Sequence, residues 1–326
     1  MSALQFSRRV TLRQLEVFTE AARELNFSRV AEAMHLSQPA VSMQIRQLED
    51  VVGLPLFEKV GRRKMLTEAG LLLQSRASRL LAELQDAEQS LQSLKGLAGG
   101  SVSIGLVSTA QYFAPRLLAA FARRHPLIDV RFMVGNRETL VRLLQENQLD
   151  LALMGRPPSE VDTVFEPLAA NPHVLVAPRD HPFVGGRNVD MHALRHDPFL
   201  MREPGSGTRL MLEELFRTHL FKPHRLITLD SNETIKQSVM AGLGVSLLSL
   251  HALTLELRAG EIAVLDVVGL PMQRVWHVVQ LRRRRLSPSA VAFRRFLIEQ
   301  TQAFLDAVQI SVPGVRKRRK GVAPAG

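Results

Sequence analysis

Residues 36–49, LSQPAVSMQIRQLE, place polar side chains along one side of a predicted helix. The amide of Gln38 could pair with adenine, and the hydroxyl of Ser42 could bond several base edges. A proline or methionine side chain can touch a thymine methyl, while an arginine one turn further on suits a phosphate. This chemistry predicts a helix that reads the major groove of DNA. The side chains assigned to that face are Ser37, Gln38, Pro39, Ser42, Met43 and Arg46.

Three short segments must position that face. Thr11 followed by Gln14 is a capping-box pattern at the start of a first amphipathic helix. Ser28 could cap a second, short helix that ends near Leu36. Ser37 could cap the third helix, whose apolar stripe would face a core. Two helices joined by a tight turn, the second with polar groups outward, predict a helix-turn-helix.

A basic turn follows the third helix. Residues 56–59, which begin with the apolar Leu56 and Phe57, predict a strand, and the glycine-containing turn after them carries Arg62, Arg63 and Lys64. Such a β-hairpin could lie as a wing against the sugar-phosphate backbone. The alternative is that these positions, like those of the third helix, are only solvated polar residues on a small helical domain.

Residues 12–70 resemble the winged helix-turn-helix of LysR-type transcriptional regulators along their whole length. The resemblance rests on the capped helices, the polar outer face and the basic turn. It implies that the partners of this chain are double-stranded promoter DNA and RNA polymerase. It also implies homodimers that pair into tetramers.

The segment from residue 67 to 97 has no proline and repeats apolar residues at heptad spacing. This spacing predicts a coiled coil, and a dimer would bring two recognition helices to two DNA half-sites. A single helix packed on its own domain is the alternative. The heptad residues are Leu73, Ala77, Leu80, Leu84, Ala87, Leu91 and Leu94.

From residue 101 to 308 the sequence alternates buried-strand and helix patterns. Two strand–helix units, a strand that leads back and a closing helix predict α/β architecture with a parallel sheet. This arrangement resembles the effector domain of LysR-type regulators, a periplasmic-binding-protein-like fold of two lobes. The expected fold class is a multi-domain chain with an all-α winged helix-turn-helix, a linker helix and a two-lobed α/β effector domain.

The same resemblance implies an effector cleft lined by polar residues that follow the strands. In open α/β sheets ligands lie beyond the carboxyl ends of strands, near helix N-termini, where guanidinium groups suit an anion. The family uses the position of Ser108 and Thr109 to bind its effector. Arg156 could instead cap a strand end, and Arg209 could be a solvated helix residue. The implied set is Ser108, Thr109, Asn136, Arg137, Gly155, Arg156, Arg202, Thr208, Arg209, Ser231 and Asn232.

Three stretches, STAQYFAPRLLAAF, VGNRETLVRLL and LDLALMGRPP, look like the subgroup of these regulators that controls carbon-dioxide-fixation (RuBisCO) operons. In that subgroup the implied effectors are phosphorylated sugars or acids and NADPH, and the implied effect is activation. Regulators of other pathways share parts of these motifs, so a regulator of another metabolic pathway stays an alternative.

The chain has 326 residues, no cysteine and a formal charge of +11. The lack of cysteine excludes disulfides, thiolate metal sites and a cysteine nucleophile. Nine positive charges lie in the runs RRRR (282–285) and RKRRK (316–320), so net charge alone is weak evidence for DNA binding. Because no apolar run reaches membrane-spanning length and no signal peptide is evident, the expected location is the cytoplasm. The expected domains are the winged helix-turn-helix (1–66), the linker helix (67–97), the effector domain (101–308) and a basic, disordered tail (309–326).

An enzyme would need a site that the motifs do not supply. The stretch 205–208 lacks the Gly-Lys-Ser/Thr ending of a phosphate-binding loop, and 242–247 lacks the third glycine of a dinucleotide fingerprint. His192 and His196 are interpreted as surface residues, because no carboxylates accompany them at ligand spacing. We therefore expect no catalytic residue, metal or cofactor. A solute-binding protein is the remaining alternative, which the winged helix disfavours.

Overall fold

The computed structural model describes residues 9–61, 63–94 and 99–308. The chain divides into two compact units, with the boundary at residues 97–98. Arg62 of the predicted wing and the predicted tail at 309–326 lie outside the described residues. Within the described ranges, no helix combines the length and the apolar character needed to cross a bilayer.

The N-terminal unit begins with three helices, α1 (Leu12–Glu24), α2 (Phe27–Ala33) and α3 (Gln38–Val52). The capping box of Thr11 and Gln14 is present, which confirms the predicted start of α1. Ser37 accepts a hydrogen bond from the backbone N–H of Ala40 at 3.3 Å, which confirms the predicted start of α3.

The second helix differs from its prediction at both ends. Its cap is Asn26, whose Oδ1 accepts a hydrogen bond from the backbone N–H of Ser28 at 3.0 Å. Ser28 is therefore inside the helix and not its cap, since asparagine caps as well as serine and stands earlier in the chain. The helix ends at Ala33, short of Leu36.

The apolar stripe of α3 packs into the core of this unit. Val41, Ile45 and Leu48 are all buried, as their spacing predicts, and they pack with the fully buried ring of Phe18. This packing fixes which side of α3 is left facing outward.

Two short antiparallel strands form the wing after α3. They are β1 (Phe57–Val60) and β2 (Arg63–Leu66), with Lys59 opposite Lys64. Leu56, where the sequence pattern begins the strand, is instead fully buried in the core of the unit. A long helix, α4 (Glu68–Leu94), follows the wing.

The first lobe of the C-terminal unit is built on a five-stranded sheet. Its order is β4-β3-β5-β12-β6, and only β12 runs against its neighbours. The strands are β3 (Gly100–Val107), β4 (Ile128–Gly135), β5 (Leu151–Met154), β6 (Thr163–Ala170) and β12 (Val275–Leu281). The helices are α5 (Ala114–Arg124), α6 (Arg137–Gln145) and the closing helix α10 (Pro288–Val308).

The second lobe repeats the pattern with shorter strands. In it β7 lies between β10 and β11, β8 pairs with β9 in parallel, and a single bridge between Phe199 and Val245 joins the two groups. The strands are β7 (His173–Pro178), β8 (Pro198–Arg202), β9 (Arg225–Leu229), β10 (Ser246–Ser249) and β11 (Ile262–Leu265). The helices are α7 (Gly207–Thr218), α8 (Asn232–Met240) and α9 (Thr254–Ala259), with 3₁₀ turns at Ala110–Tyr112, Met191–Leu194 and Leu250–Ala252. The sequence pattern does not predict β6, β11 or α9.

The chain crosses between the lobes twice, once after β6 and once before β12. The two crossing segments are bonded to each other: His173 and Met272 exchange backbone hydrogen bonds of 3.0 Å in both directions. The backbone N–H of Asn171 also donates to the carbonyl of Arg274 at 2.7 Å. The side chains of these segments therefore stand between the lobes, next to the carboxyl ends of β3 and β5.

Gly70, near the start of α4, lies against the core. A Cβ built at Gly70 would be 2.1 Å from the carbonyl oxygen of Leu56. We expect Gly70→Ala to destabilise the N-terminal unit by about 1–3 kcal/mol, the usual cost of overpacking. Chemical denaturation followed by circular dichroism checks this, with Arg76→Ala at an exposed position of the same helix as the control. A wild-type unfolding free energy for Gly70→Ala would contradict the tight packing of this helix.

Candidate functional site

The start of α3 presents polar side chains on the outside of the N-terminal unit. Gln38, Met43 and Arg46 are exposed and Ser42 is half-buried. The Nε2 of Gln38 donates to the Oγ of Ser42 at 3.2 Å, which orders the two side chains on neighbouring turns. The amide oxygen and the second amide hydrogen of Gln38 remain available, as a bidentate contact to adenine requires.

Among the described basic residues of the wing, Arg63 and Lys64 differ in their surroundings. Arg63 is exposed, whereas the Nζ of Lys64 lies 3.1 Å from the ring centroid of Phe27 and 5.7 Å from that of Phe57. Burial lowers the pKa of Lys64, and the nearby Glu49 opposes that shift. Lys64 therefore packs against the aromatic rings of its own unit, while Arg63, like Lys59 on β1, is open to solvent.

The heptad residues of α4 fall into two groups. Ala77 is fully buried and Leu73 packs beside it on the core of the N-terminal unit, as the alternative of a helix packed on its own domain predicts. By contrast, Leu80 and Leu84 are 56% and 46% exposed. The other outward heptad residues are Ala87 and Leu91, and the side chain of Leu94 lies outside the described ones.

A cavity opens between the two lobes of the C-terminal unit. Counted together with its open mouth, its space is about 660 Å³. The implied site residues that line it are Ser108, Thr109, Asn136, Arg137, Gly155, Arg156 and Thr208. The implied residues that do not line it are Arg202, Arg209, Ser231 and Asn232. It is also lined by residues that sequence reasoning misses, namely Asn171, His173, Ser206, Glu214 and Arg274.

The N-terminus of α7 faces this cavity. Its cap residue, Ser206, makes no side-chain capping bond, so its hydroxyl leaves the first N–H groups of the helix open. Gly205 adopts a left-handed backbone (φ 83°), and a Cβ on it would be 2.5 Å from the carboxylate of Glu138. The glycine thus lets the chain turn into α7 close to the first lobe. A helix start of this kind favours an anion.

Arg202 ties the second lobe to the first from behind the cavity. Its buried guanidinium donates from Nη1 to the Oγ of Ser108 at 3.0 Å and to the Oδ1 of Asn232 at 2.6 Å. Two further donors bind the carboxylate of Glu203 at 2.7 and 2.9 Å. The Nδ2 of Asn232 also donates to the Oγ of Ser108 at 3.4 Å. Arg202 and Asn232 therefore position Ser108, and both acceptor sites of its hydroxyl are occupied, which leaves it one hydrogen to donate.

The other two implied residues serve local structure. Arg209 pairs with Glu213 at 2.8 Å and donates to the carbonyl of Arg202 at 3.2 Å. Ser231 caps α8 by accepting a hydrogen bond from the backbone N–H of Thr234 at 3.0 Å. Both residues support the lobe that carries Arg202.

The charges around the cavity are mostly paired. Arg137 binds both carboxylate oxygens of Glu160 at 2.6 and 2.9 Å, and these bonds lower the pKa of Glu160 to about 2. Arg274 pairs with Glu214 at 2.7 Å. Among the described residues, Arg156 has no ion-pair partner, so it supplies the unbalanced positive charge of the cavity.

Two lining side chains offer polar atoms without partners in the described ranges. The hydroxyl of the buried Thr109 has no hydrogen bond there. His173 is buried as well, and its Nδ1 lies 3.1 Å from the backbone carbonyl of Asn171. Burial lowers the pKa of His173 to about 4, so its ring is neutral near pH 7.

Two family models together match most of the chain. The model for a bacterial regulatory helix-turn-helix protein of the lysR family matches residues 12–71. The model for the LysR substrate binding domain matches residues 95–302. The chain belongs to the LysR family. These matches confirm that residues 12–70 are a helix-turn-helix of the LysR type. They also confirm the expected fold class, in which a two-lobed effector domain follows the winged helix-turn-helix and its linker helix.

Similar proteins extend this result. The HTH-type transcriptional regulator CfxR of Cupriavidus necator is 57% identical, over 92% of this chain and 95% of its own length. The RuBisCO operon transcriptional regulator of Allochromatium vinosum is 46% identical, over 89% of this chain and 96% of its own. Such relatives confirm that this LysR-family protein is a transcription regulator and not an enzyme.

A solved structure is similar to the C-terminal unit. It is the Synechocystis CcmR regulatory domain in complex with 2-PG, which is 39% identical with a TM-score of 0.59. The match covers 61% of this chain and 95% of that domain.

The outward face of α3 leads to a prediction about DNA reading. We expect Gln38→Ala to reduce discrimination between operator and scrambled DNA, because about 1–3 kcal/mol is lost with each good base contact. Arg63→Ala should weaken binding to both sequences alike and reduce the salt dependence. Fluorescence anisotropy with both DNAs at several salt concentrations measures these effects.

The control is Gln47→Ala, an exposed glutamine on the opposite side of the same helix. It should leave discrimination unchanged. An equal loss of affinity for operator and scrambled DNA in Gln38→Ala would show that Gln38 does not read a base.

Proposed function

We propose that this LysR-family regulator controls a carbon-dioxide-fixation operon in response to a small phosphorylated anion held between the lobes of its C-terminal unit. The operon assignment is supported by the relative from Allochromatium vinosum, which is named a RuBisCO operon regulator. The effector assignment is carried by one observation, the unbalanced charge of Arg156 at the cavity. The CcmR regulatory domain, whose structure is a complex with 2-PG, supports the same class of ligand.

The donors around the cavity suit a phosphate or carboxylate group. The first turn of α7 provides backbone N–H groups and the positive end of its dipole. Ser108 has only a hydrogen left to donate, and the hydroxyl of Thr109 is uncommitted. Together with Arg156 these groups favour an anion over a neutral ligand of the same size.

An effector of this kind would act by shifting a conformational equilibrium. Because the cavity is lined by both lobes, their relative position changes the ligand contacts, and a ligand can favour one arrangement. The shift is limited by the difference in affinity for the two arrangements, since equal affinity moves no equilibrium. In the proposed function this shift alters the DNA-bound form and its action on RNA polymerase.

The N-terminal unit would act as a dimer on promoter DNA. The outward leucines of α4, which are Leu80, Leu84 and Leu91, form an apolar strip that is exposed to solvent in a single copy of the chain. A second copy of this helix would bury that strip and place a second α3 on a second half-site. The base-reading side chains are Gln38, Ser42 and Met43, and the phosphate contacts come from Arg46 and Arg63.

Replacing Thr109 tests the effector site. Thr109→Val keeps the size of the side chain and removes the hydroxyl, so we expect about a tenfold or greater loss of affinity for the ligand. Isothermal titration of the full chain with 3-phosphoglycerate, ribulose bisphosphate, phosphoenolpyruvate, 2-phosphoglycolate and NADPH identifies the ligand first. Gel shifts with DNA from upstream of a RuBisCO operon then follow the response. Thr228→Val, on an exposed strand position, is the control. The absence of heat and of any shift with all five compounds would overturn the effector proposal.

Replacing Leu84 tests the dimer. Leu84→Arg would place a charge in the apolar strip of α4, so we expect a shift from dimer toward monomer. Sedimentation velocity at low micromolar concentration measures it. Gln85→Arg introduces the same charge at an exposed position on another side of the helix and should leave the dimer intact. If Leu84→Arg remains a dimer, the dimer contact does not lie on this strip, and the proposal is wrong.

A further inference from the structure

His173 stands where the chain crosses from the first lobe to the second, and its ring lines the cavity. Its backbone is fixed by the two hydrogen bonds with Met272. His173 is buried, with only 3% of its surface exposed. A side chain so placed can touch a ligand that both lobes enclose.

The hydrogen bond with Asn171 sets the tautomer of this ring. A backbone carbonyl can only accept, so the Nδ1 that lies 3.1 Å from the Asn171 oxygen must carry the hydrogen. In a neutral ring the Nε2 is then an acceptor with a free lone pair. The low pKa that burial gives His173 agrees with a neutral ring near pH 7.

The Nε2 of His173 has no hydrogen-bond partner in the described part of the chain. Two donors nearby bond to other acceptors: the Nη2 of Arg274 donates to Glu214, and the hydroxyl of Ser249 donates to the Oδ1 of Asn171. A ligand that covered this nitrogen without a donor would leave a buried acceptor unpaired. By contrast, Ser108 and Arg156, which also line the cavity, present donors.

We propose that His173 reads a hydroxyl group of the effector, accepting its hydrogen at Nε2, so that the site selects phosphorylated hydroxy acids over the same acids without the hydroxyl. In this arrangement the anionic groups of the ligand lie at the donors of Ser108 and Arg156, and its hydroxyl lies at His173 on the crossing segment. This inference rests on the proposed function, because it takes the cavity as the effector site.

The test compares two ligands that differ in one hydroxyl. Isothermal titration of the full chain with 3-phosphoglycerate and with 3-phosphonooxypropionate, its 2-deoxy analogue, gives the affinity ratio. We expect the hydroxy acid to bind at least about tenfold more tightly. His173→Phe keeps an aromatic ring without nitrogen and should bring the ratio close to one. His173→Gln, which can still offer an acceptor, should retain part of the preference.

Proton uptake on ligand binding distinguishes a neutral His173 that accepts a hydrogen bond from a charged His173 that donates one. If His173 instead bound phosphate as an imidazolium, binding near pH 7 would take up a proton that His173→Phe does not take up. Titrations in buffers of different ionisation enthalpy measure the number of protons taken up when the ligand binds. We expect the same number for the wild type and for His173→Phe. The other titratable or charged groups that face the ring are His251 and Arg274, and burial lowers the pKa of His251 to about 4.

Three results would overturn the inference. They are equal wild-type affinity for the two acids, binding of neither acid, and proton uptake that depends on His173. A response to another metabolite in the gel shift would in each case leave the proposed function standing. Circular dichroism spectra and thermal unfolding transitions that match those of the wild type show that His173→Phe and His173→Gln are folded.

Discussion

The buried guanidinium of Arg202 is the interaction on which the C-terminal unit depends. It holds Ser108 of the first lobe and Asn232 of the second through one nitrogen, and Glu203 neutralises its charge. A buried charge is costly without its counter-charge, so loss of Glu203 would leave an uncompensated cation between the lobes. Arg202 thus fixes the orientation of Ser108 and links the two lobes beside the cavity.

Charge pairing decides what the cavity can hold. Arg137 and Arg274 are neutralised by Glu160 and Glu214, and Arg202 by its neighbour, so the number of guanidiniums overstates the local charge. Among the described residues that line the cavity, one unpaired cation remains, Arg156, together with backbone and hydroxyl donors. A site with so little net charge attracts anions only weakly through long-range electrostatics. It therefore distinguishes ligands by the positions of their hydrogen-bond acceptors and hydroxyl groups.

Local patterns predicted the N-terminal unit better than the cavity. Caps and apolar stripes involve neighbours in sequence, so the starts of α1 and α3 were predictable, and even the misplaced cap moved only from Ser28 to Asn26. The end of the first predicted strand of the effector domain likewise predicted that Ser108 and Thr109 line the cleft. Arg202 was expected to face the ligand, but its pairing with the adjacent Glu203 turns it into a positioning residue. His173 could not be found, because its role arises where two crossing segments distant in sequence meet.

The claim that a phosphorylated acid binds between the lobes is tested most directly by hydrogen–deuterium exchange of the full chain with and without saturating 3-phosphoglycerate. The account predicts slower exchange at residues 107–109, 171–173 and 206–208, which belong to both lobes and to a crossing segment. Slower exchange confined to a single lobe, or no change at these residues while the ligand is bound, would contradict it.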